Sequence, residues 1–153
     1  MSLKETGELK KLNTELNALY MEQDDLYSAY AAHFGLSDTA FWILYSLCED
    51  DCIKTQNELA KTFHMPPQSI NSAAMGLVKR GILRLEQLSG VRSGKALCLT
   101  EAGKAFCDRV VYPFFRMEEN ALAVLDEKER AQYLDSMRRV IAAVRAGVAD
   151  ATR

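Results

Sequence analysis

Apolar positions along the chain change their spacing several times, and each change marks an element. Leu9, Leu12, Leu16, Leu19, Leu26 and Tyr30 recur at steps of three and four, with one polar slot at Gln23. A seam repeating about every 3.5 residues belongs to a long helix that packs on another long helix. Gly35 ends it, and Ser37 is placed to cap a second helix carrying Phe41, Ile43, Leu44 and Leu47. The acidic stretch Glu49-Asp50-Asp51 breaks that helix. Thr55-Gln56-Asn57-Glu58 has the form of a capping box, so a short helix with Leu59, Ala60 and Phe63 follows. His64-Met65 make a tight turn. Pro66 and Pro67 lack backbone donors and suit only the first turn of the next helix. That helix carries Ile70, Ala74, Leu77 and Val78 on one face, and Gly81 closes it as a left-handed cap.

The period then shifts to two. Leu83 and Leu85 alternate with Arg84 and Glu86, and Leu97 and Leu99 alternate with Ala96 and Cys98. Between them lies Ser89-Gly90-Val91-Arg92-Ser93-Gly94, so the pair reads as a β-hairpin with a flexible tip. Thr100 caps a further helix with Phe106, Val110, Phe114 and Met117 turned inward, and Pro113 is expected to kink or split it. Asp126 starts the last helix, where Leu134, Met137, Ile141, Val144 and Val148 form a second narrow seam.

Two short helices joined by a tight turn and followed by a glycine-tipped hairpin describe a winged helix-turn-helix. The fold expected is therefore mainly α with a small β-hairpin wing, flanked by long N- and C-terminal helices. Residues 1–153 form one domain in this reading. Residues 37–100 make the winged lobe, and residues 1–36 with 101–153 make the helical dimerisation lobe.

Charge sharpens the picture. The net charge is −2, which by itself does not suggest a polyanion partner. Yet Lys54 to Lys104 holds eight basic residues (Lys54, Lys61, Lys79, Arg80, Arg84, Arg92, Lys95 and Lys104) against Glu58, Glu86 and Glu101. A basic middle in an acidic frame suits a middle that meets nucleic acid, although uneven surface charge alone would look the same. With 48% hydrophobic and 26% charged residues the composition is that of a globular chain, and no apolar run is long enough to span a bilayer. The first residues, MSLKETGELKKLN, lack a secretion-type apolar stretch, so the expected location is the cytoplasm, with four reduced cysteines.

Several stretches resemble one family. "GLSDTAFWILYSL", "TQNELAKTFHMPPQSINSAAMGLVKRGIL", "LCLTEAGKAF" and "LAVLDEKERAQYL" follow one another in the order seen in MarR-family transcriptional regulators. The resemblance covers nearly the whole chain. It implies a homodimeric, ligand-responsive repressor that binds a pseudo-palindromic operator in double-stranded DNA. By resemblance, Pro67, Gln68, Ser69, Asn71 and Ser72 face the groove, with Lys79 beside them and Arg92 and Lys95 in the wing. Gln68 and Asn71 are the long amides of that set, and amides pair well with adenine edges; the alternative is that Gln68 and Ser69 only cap the helix. The family often has arginine at the position of Ser72 and an Asp-x-Arg in the wing, where this chain has Val91-Arg92-Ser93, so the usual brace of the arginine is missing. A solvated wing with no DNA role stays open.

Tyr20, Tyr27, Tyr30, Trp42 and Tyr45 cluster in the first two helices. The resemblance implies a small aromatic effector near them, and plain packing is the alternative. Cys48 and Cys52 are separated by three residues, and neither forms a metal-ligand pattern with His33 or His64, so no metal and no cofactor are expected. Two other functions stay open: a winged-helix dimer that uses the same face for protein partners, and a cysteine-based redox-sensing regulator. No glycine-rich phosphate loop, HExxH or GxSxG occurs, and no catalytic residue is expected.

Overall fold

The computed structural model describes residues 3–49, 54–87 and 95–153. In chain order the elements are α1 (Leu3–His33), α2 (Asp38–Glu49), β1 (Lys54–Thr55), α3 (Gln56–Thr62), α4 (Pro67–Lys79), β2 (Leu83–Gln87), β3 (Lys95–Leu99), α5 (Glu101–Leu122) and α6 (Glu127–Ala151). They fall into two compact units, Met1–Tyr112 and Pro113–Arg153. This is the mainly helical winged helix-turn-helix that the pattern predicts.

Local chemistry places the element ends. The Ser37 hydroxyl oxygen accepts from the Ala40 amide at 3.2 Å, which starts α2. Thr55 and Glu58 close a reciprocal capping box at the start of α3, and Asp126 and Glu129 close another at the start of α6. His64 takes a positive φ of 51° in the α3–α4 turn. Pro66 and Pro67 sit at the N-cap and first position of α4, where their missing amides cost nothing. Gly81 at φ +72° lets the chain leave α4, with the Gly81 and Ile82 amides donating to the carbonyls of Val78 and Leu77.

The first unit holds the core. Phe41, Ile43 and Leu44 of α2, Leu59 of α3, and Ile70 and Leu77 of α4 are buried together with Leu83 and Leu97 of the sheet. α4 packs against α2, α3 and β2, so its apolar face is consumed and its opposite face is left outward. The sheet has three strands in the order β1-β3-β2, all antiparallel. The β1 pairing was not expected, because two residues are too short to show a period. Thr55 thus serves both as strand partner of Ala96 and as cap of α3. The expected alternation also fails at β3. Ala96, flanked in register by Thr55 and Glu86, is as fully buried as Leu97.

In α5 the helix runs unbroken through Pro113. Val110 and Phe114 are buried as expected, joined by Cys107 and Val111, whereas Phe106 is only half-buried and Met117 is 43% exposed. The inward stripe of α5 is therefore centred on Cys107–Phe114 and does not extend another turn. In the second unit no residue of α6 is buried. Its seam residues Leu134, Ile141, Val144 and Val148 stand about half exposed. The α1 seam is likewise open from Leu9 to Leu26. No helix among the described residues is long and apolar enough to cross a membrane.

Candidate nucleic-acid interface and aromatic slot

The outward side of α4 presents Pro67, Gln68, Ser69, Asn71, Ser72, Met75 and Lys79, all exposed. Pro66, the N-cap of α4, makes no side-chain cap hydrogen bond. The Ser69 amide instead donates to the Pro66 carbonyl at 3.0 Å. Gln68 and Ser69 stand exposed in this first turn.

Asn71 and Lys95 meet across a groove of about 350 Å³, lined also by Thr55, Gln56, Asn57, Met75 and Leu85. Lys95 reaches it because β3 lies between β1 and β2, which sets the start of the wing strand beside α3 and α4. Gln56 and Asn57 are additional to the residues expected from the sequence, where they enter only as the middle of the capping box. The box itself turns them outward, because Thr55 and Glu58 bind each other. Ser72 also lines a second groove, with Ser37, Gly76 and Arg80. Arg92 and the rest of the wing tip lie outside the described residues, as do Cys52 and the acidic pair Asp50-Asp51.

Several cations of the basic middle are already engaged. Arg84 pairs with Glu86, two residues along β2 on the same face, and the Cys98 thiol donates to the same carboxylate at 3.2 Å. The Arg84 hydrogen bond holds the Glu86 carboxyl below its ordinary range and raises the Arg84 guanidinium. Lys104 pairs with Glu101 at 2.8 Å. The Arg80 guanidinium donates to the Gly35 carbonyl at 2.9 Å and lies 5.5 Å from the centre of the Phe106 ring, so it ties α4 to its neighbours. Lys79 and Lys95 are the exposed cations of the candidate site on α4 and β3.

The aromatic residues of α1 and α2 separate into two groups. Tyr30 turns into the core. Its hydroxyl donates to the Val110 carbonyl at 2.8 Å, and its ring meets Phe34 and Phe41. The Tyr45 ring meets Trp42 in a tilted contact, 5.1 Å between ring centres. Tyr27 and Trp42, 5.9 Å apart, line a slot of about 260 Å³ together with Asp24, Ser28, Asp38, Phe41 and Met65. Tyr20, two turns before Tyr27 on α1, stands 40% exposed. The sequence pattern named the rings but not the two carboxylates among them.

Three cysteines fall among the described residues. Cys48 on α2 and Cys107 on α5 are buried free cysteines in hydrogen-bonding contact. That contact and burial push the Cys107 thiol far above its ordinary range, and burial also raises Cys98. Among the described residues no group of His, Cys, Asp or Glu could hold a metal ion.

No family model matches the chain, and no curated protein does. Solved structures do match. A MarR-family regulator from Neisseria meningitidis is 17% identical with a TM-score of 0.73, covering 94% of this chain and 97% of its own. MepR from S. aureus, solved as a DNA complex, is 17% identical with a TM-score of 0.69, covering 86% and 96%. A putative MarR-family regulator from Listeria monocytogenes, solved with a 26mer DNA, is 18% identical with a TM-score of 0.69, covering 86% and 87%. The fold of this chain is that of the MarR-family transcriptional regulators.

Proposed function

We propose that this protein is a sequence-specific DNA-binding transcriptional regulator, a ligand-responsive repressor that acts as a homodimer on a pseudo-palindromic operator. The observation that carries the reading is the outward first turn of α4, with Gln68 and Asn71 exposed and Asn71 sharing a groove with Lys95. It stands on a fold shared with two proteins solved on DNA. A major groove admits one helix, and the first turn of a recognition helix is the part that meets base edges.

In this reading residues 37–100 form the DNA-reading lobe. Pro67, Gln68, Ser69, Asn71, Ser72 and Lys79 face the duplex from α4, and Lys95 and Arg92 from the wing. Gln56 and Asn57 join them at the start of α3. An amide-rich, arginine-poor face favours an A·T-leaning half-site. Residues 1–36 and 101–153 form the dimerisation lobe, and the exposed seams of α1 and α6 close against those of a second copy. The two reading helices then lie about one DNA turn apart. An effector bound in the aromatic cluster of Tyr20, Tyr27, Tyr30, Trp42 and Tyr45 shifts the dimer toward whichever state binds it better.

The test is selection of bound fragments from genomic DNA, followed by titration on the selected site and on random duplex. Tight binding to a palindromic site, with weaker and steeply salt-dependent binding to random sequence, supports the reading. Absence of binding to either duplex at low salt overturns it.

A further inference from the structure

We propose that the slot between α1 and α2 is a binding site for a small organic cation, a quaternary or lipophilic ammonium carrying one apolar or aromatic group. The inference rests on the reading of this region as the effector site and names the chemistry of the effector. Three observations carry it.

The first is the lining. Tyr27, Phe41 and Trp42 supply ring surface, Met65 a polarisable side chain, and Asp24 and Asp38 two carboxylates, with no basic residue among the described residues that line it. A cation within about 6 Å of an aromatic centre is attracted by the ring quadrupole, most strongly by tryptophan. An aromatic acid entering the same slot would meet two like charges.

The second is placement. Asp24 projects from α1 and Asp38 from the first turn of α2, so the carboxylates come from different elements. The Ser28 hydroxyl donates to Asp38 Oδ2 at 2.9 Å, which orients that carboxylate from the α1 side. From Glu22 to Asp38 the chain carries Glu22, Asp24, Asp25 and Asp38 and no lysine or arginine. Carboxylates thus dominate this stretch, and the Arg80 guanidinium that donates to the Gly35 carbonyl at the same corner is not among the groups that line the slot.

The third is size. At about 260 Å³ the slot lies just under the roughly 300–1,000 Å³ of sites that hold drug-sized ligands, so it fits one ring with a compact ammonium head. Met65 lies in the α3–α4 turn and also lines the slot. An occupant thus touches the segment that leads into the exposed helix α4.

Trp42 is the single tryptophan of the chain, so intrinsic fluorescence reports on the slot directly. The experiment titrates the full-length protein, without DNA, with phenyltrimethylammonium chloride, with uncharged N,N-dimethylaniline and with sodium benzoate at constant ionic strength. Calorimetry repeats each titration on Asp24→Asn and Asp38→Asn, with circular dichroism to verify folding. Saturable binding of phenyltrimethylammonium, with benzoate and the neutral amine weaker and each asparagine variant weakened roughly tenfold, supports the proposal. Benzoate or the neutral amine binding as tightly as the ammonium overturns the cation assignment and leaves an effector site in place. Asparagine variants that fold and bind like the parent overturn it as well. If no probe binds at millimolar concentration, both the cation site and the reading of this slot as the effector site fall. DNA binding, measured separately, is untouched by that outcome.

Discussion

The Tyr30 hydroxyl donates to the backbone carbonyl of Val110 at 2.8 Å and so ties α1 to α5. Val110 stands three residues before Pro113, next to the Arg109 carbonyl that a proline cannot serve with an amide. Tyr30 is partly buried, and burial raises its phenol above the ordinary range. Tyr30→Phe removes one hydroxyl and keeps the ring contacts with Phe34 and Phe41. It is expected to cost about 0.5–1.5 kcal/mol in urea unfolding, with no change in the far-ultraviolet spectrum.

Two helical glycines respond oppositely to alanine. A Cβ on Gly103 would lie 2.0 Å from the Ile82 carbonyl oxygen, where the start of α5 crosses the entry to the wing. The same corner is held by the Gly103 amide, which donates to Thr100 Oγ1 at 2.9 Å. Gly103→Ala is expected to lose about 1–3 kcal/mol or more, since backbone must move. A Cβ on Gly76 in α4 meets nothing within 4 Å. Gly76→Ala should raise stability by up to about 1 kcal/mol through helix propensity. Thermal melts of the two variants check both signs.

The buried Cys107 and half-buried Cys98 thiols predict a loss of stability at alkaline pH. Cys107 and Cys98 titrate higher in the folded protein than in the unfolded chain, where a thiol titrates near 8.5. Above that pH the unfolded chain releases protons that the native state keeps, so unfolding free energy falls as pH rises. Below it the contribution is fully present. Urea melts between pH 7.5 and 9.5 should show this decline, and Cys107→Ala should flatten it. In a Cys52→Ser background the native protein should react with Ellman's reagent at least about tenfold more slowly than the same protein in guanidinium.

For DNA the prediction separates reading from holding. A dimer touching roughly six phosphates gives a log–log salt slope near −5. Lys95→Ala should weaken binding to selected and random duplexes alike and flatten the slope. Asn71→Ala should cost about 1–3 kcal/mol on the selected site and much less on random sequence. Gel-shift titrations at several salt concentrations measure both.

The exposed seams predict the oligomer. Sedimentation should give a mass twice the 17.2 kDa of one chain. Leu12→Glu with Leu16→Glu on α1, or Ile141→Glu on α6, should shift the protein toward the monomer. The near-ultraviolet signature of Trp42 should stay intact, because those side chains stand 37–51% exposed in the single chain.

The helices, their caps and the turn between α3 and α4 were legible in the amino-acid order, because they are set by contacts within a few residues. Thr55 with Glu58, Pro66-Pro67, Gly81 and Asp126 with Glu129 each act within one turn, and their side chains declare it. What only the tertiary structure decided involves residues far apart in the chain. The pairing of Thr55 with Ala96 makes a third strand and sets Gln56 and Asn57 beside Asn71 and Lys95. Packing α1 on α2 draws Tyr30 inward while Tyr27 and Trp42 line a slot with Asp24 and Asp38. Periodicity names the face of a helix, but it carries no information on which distant residue that face will meet. Such meetings are fixed by packing a whole core at once.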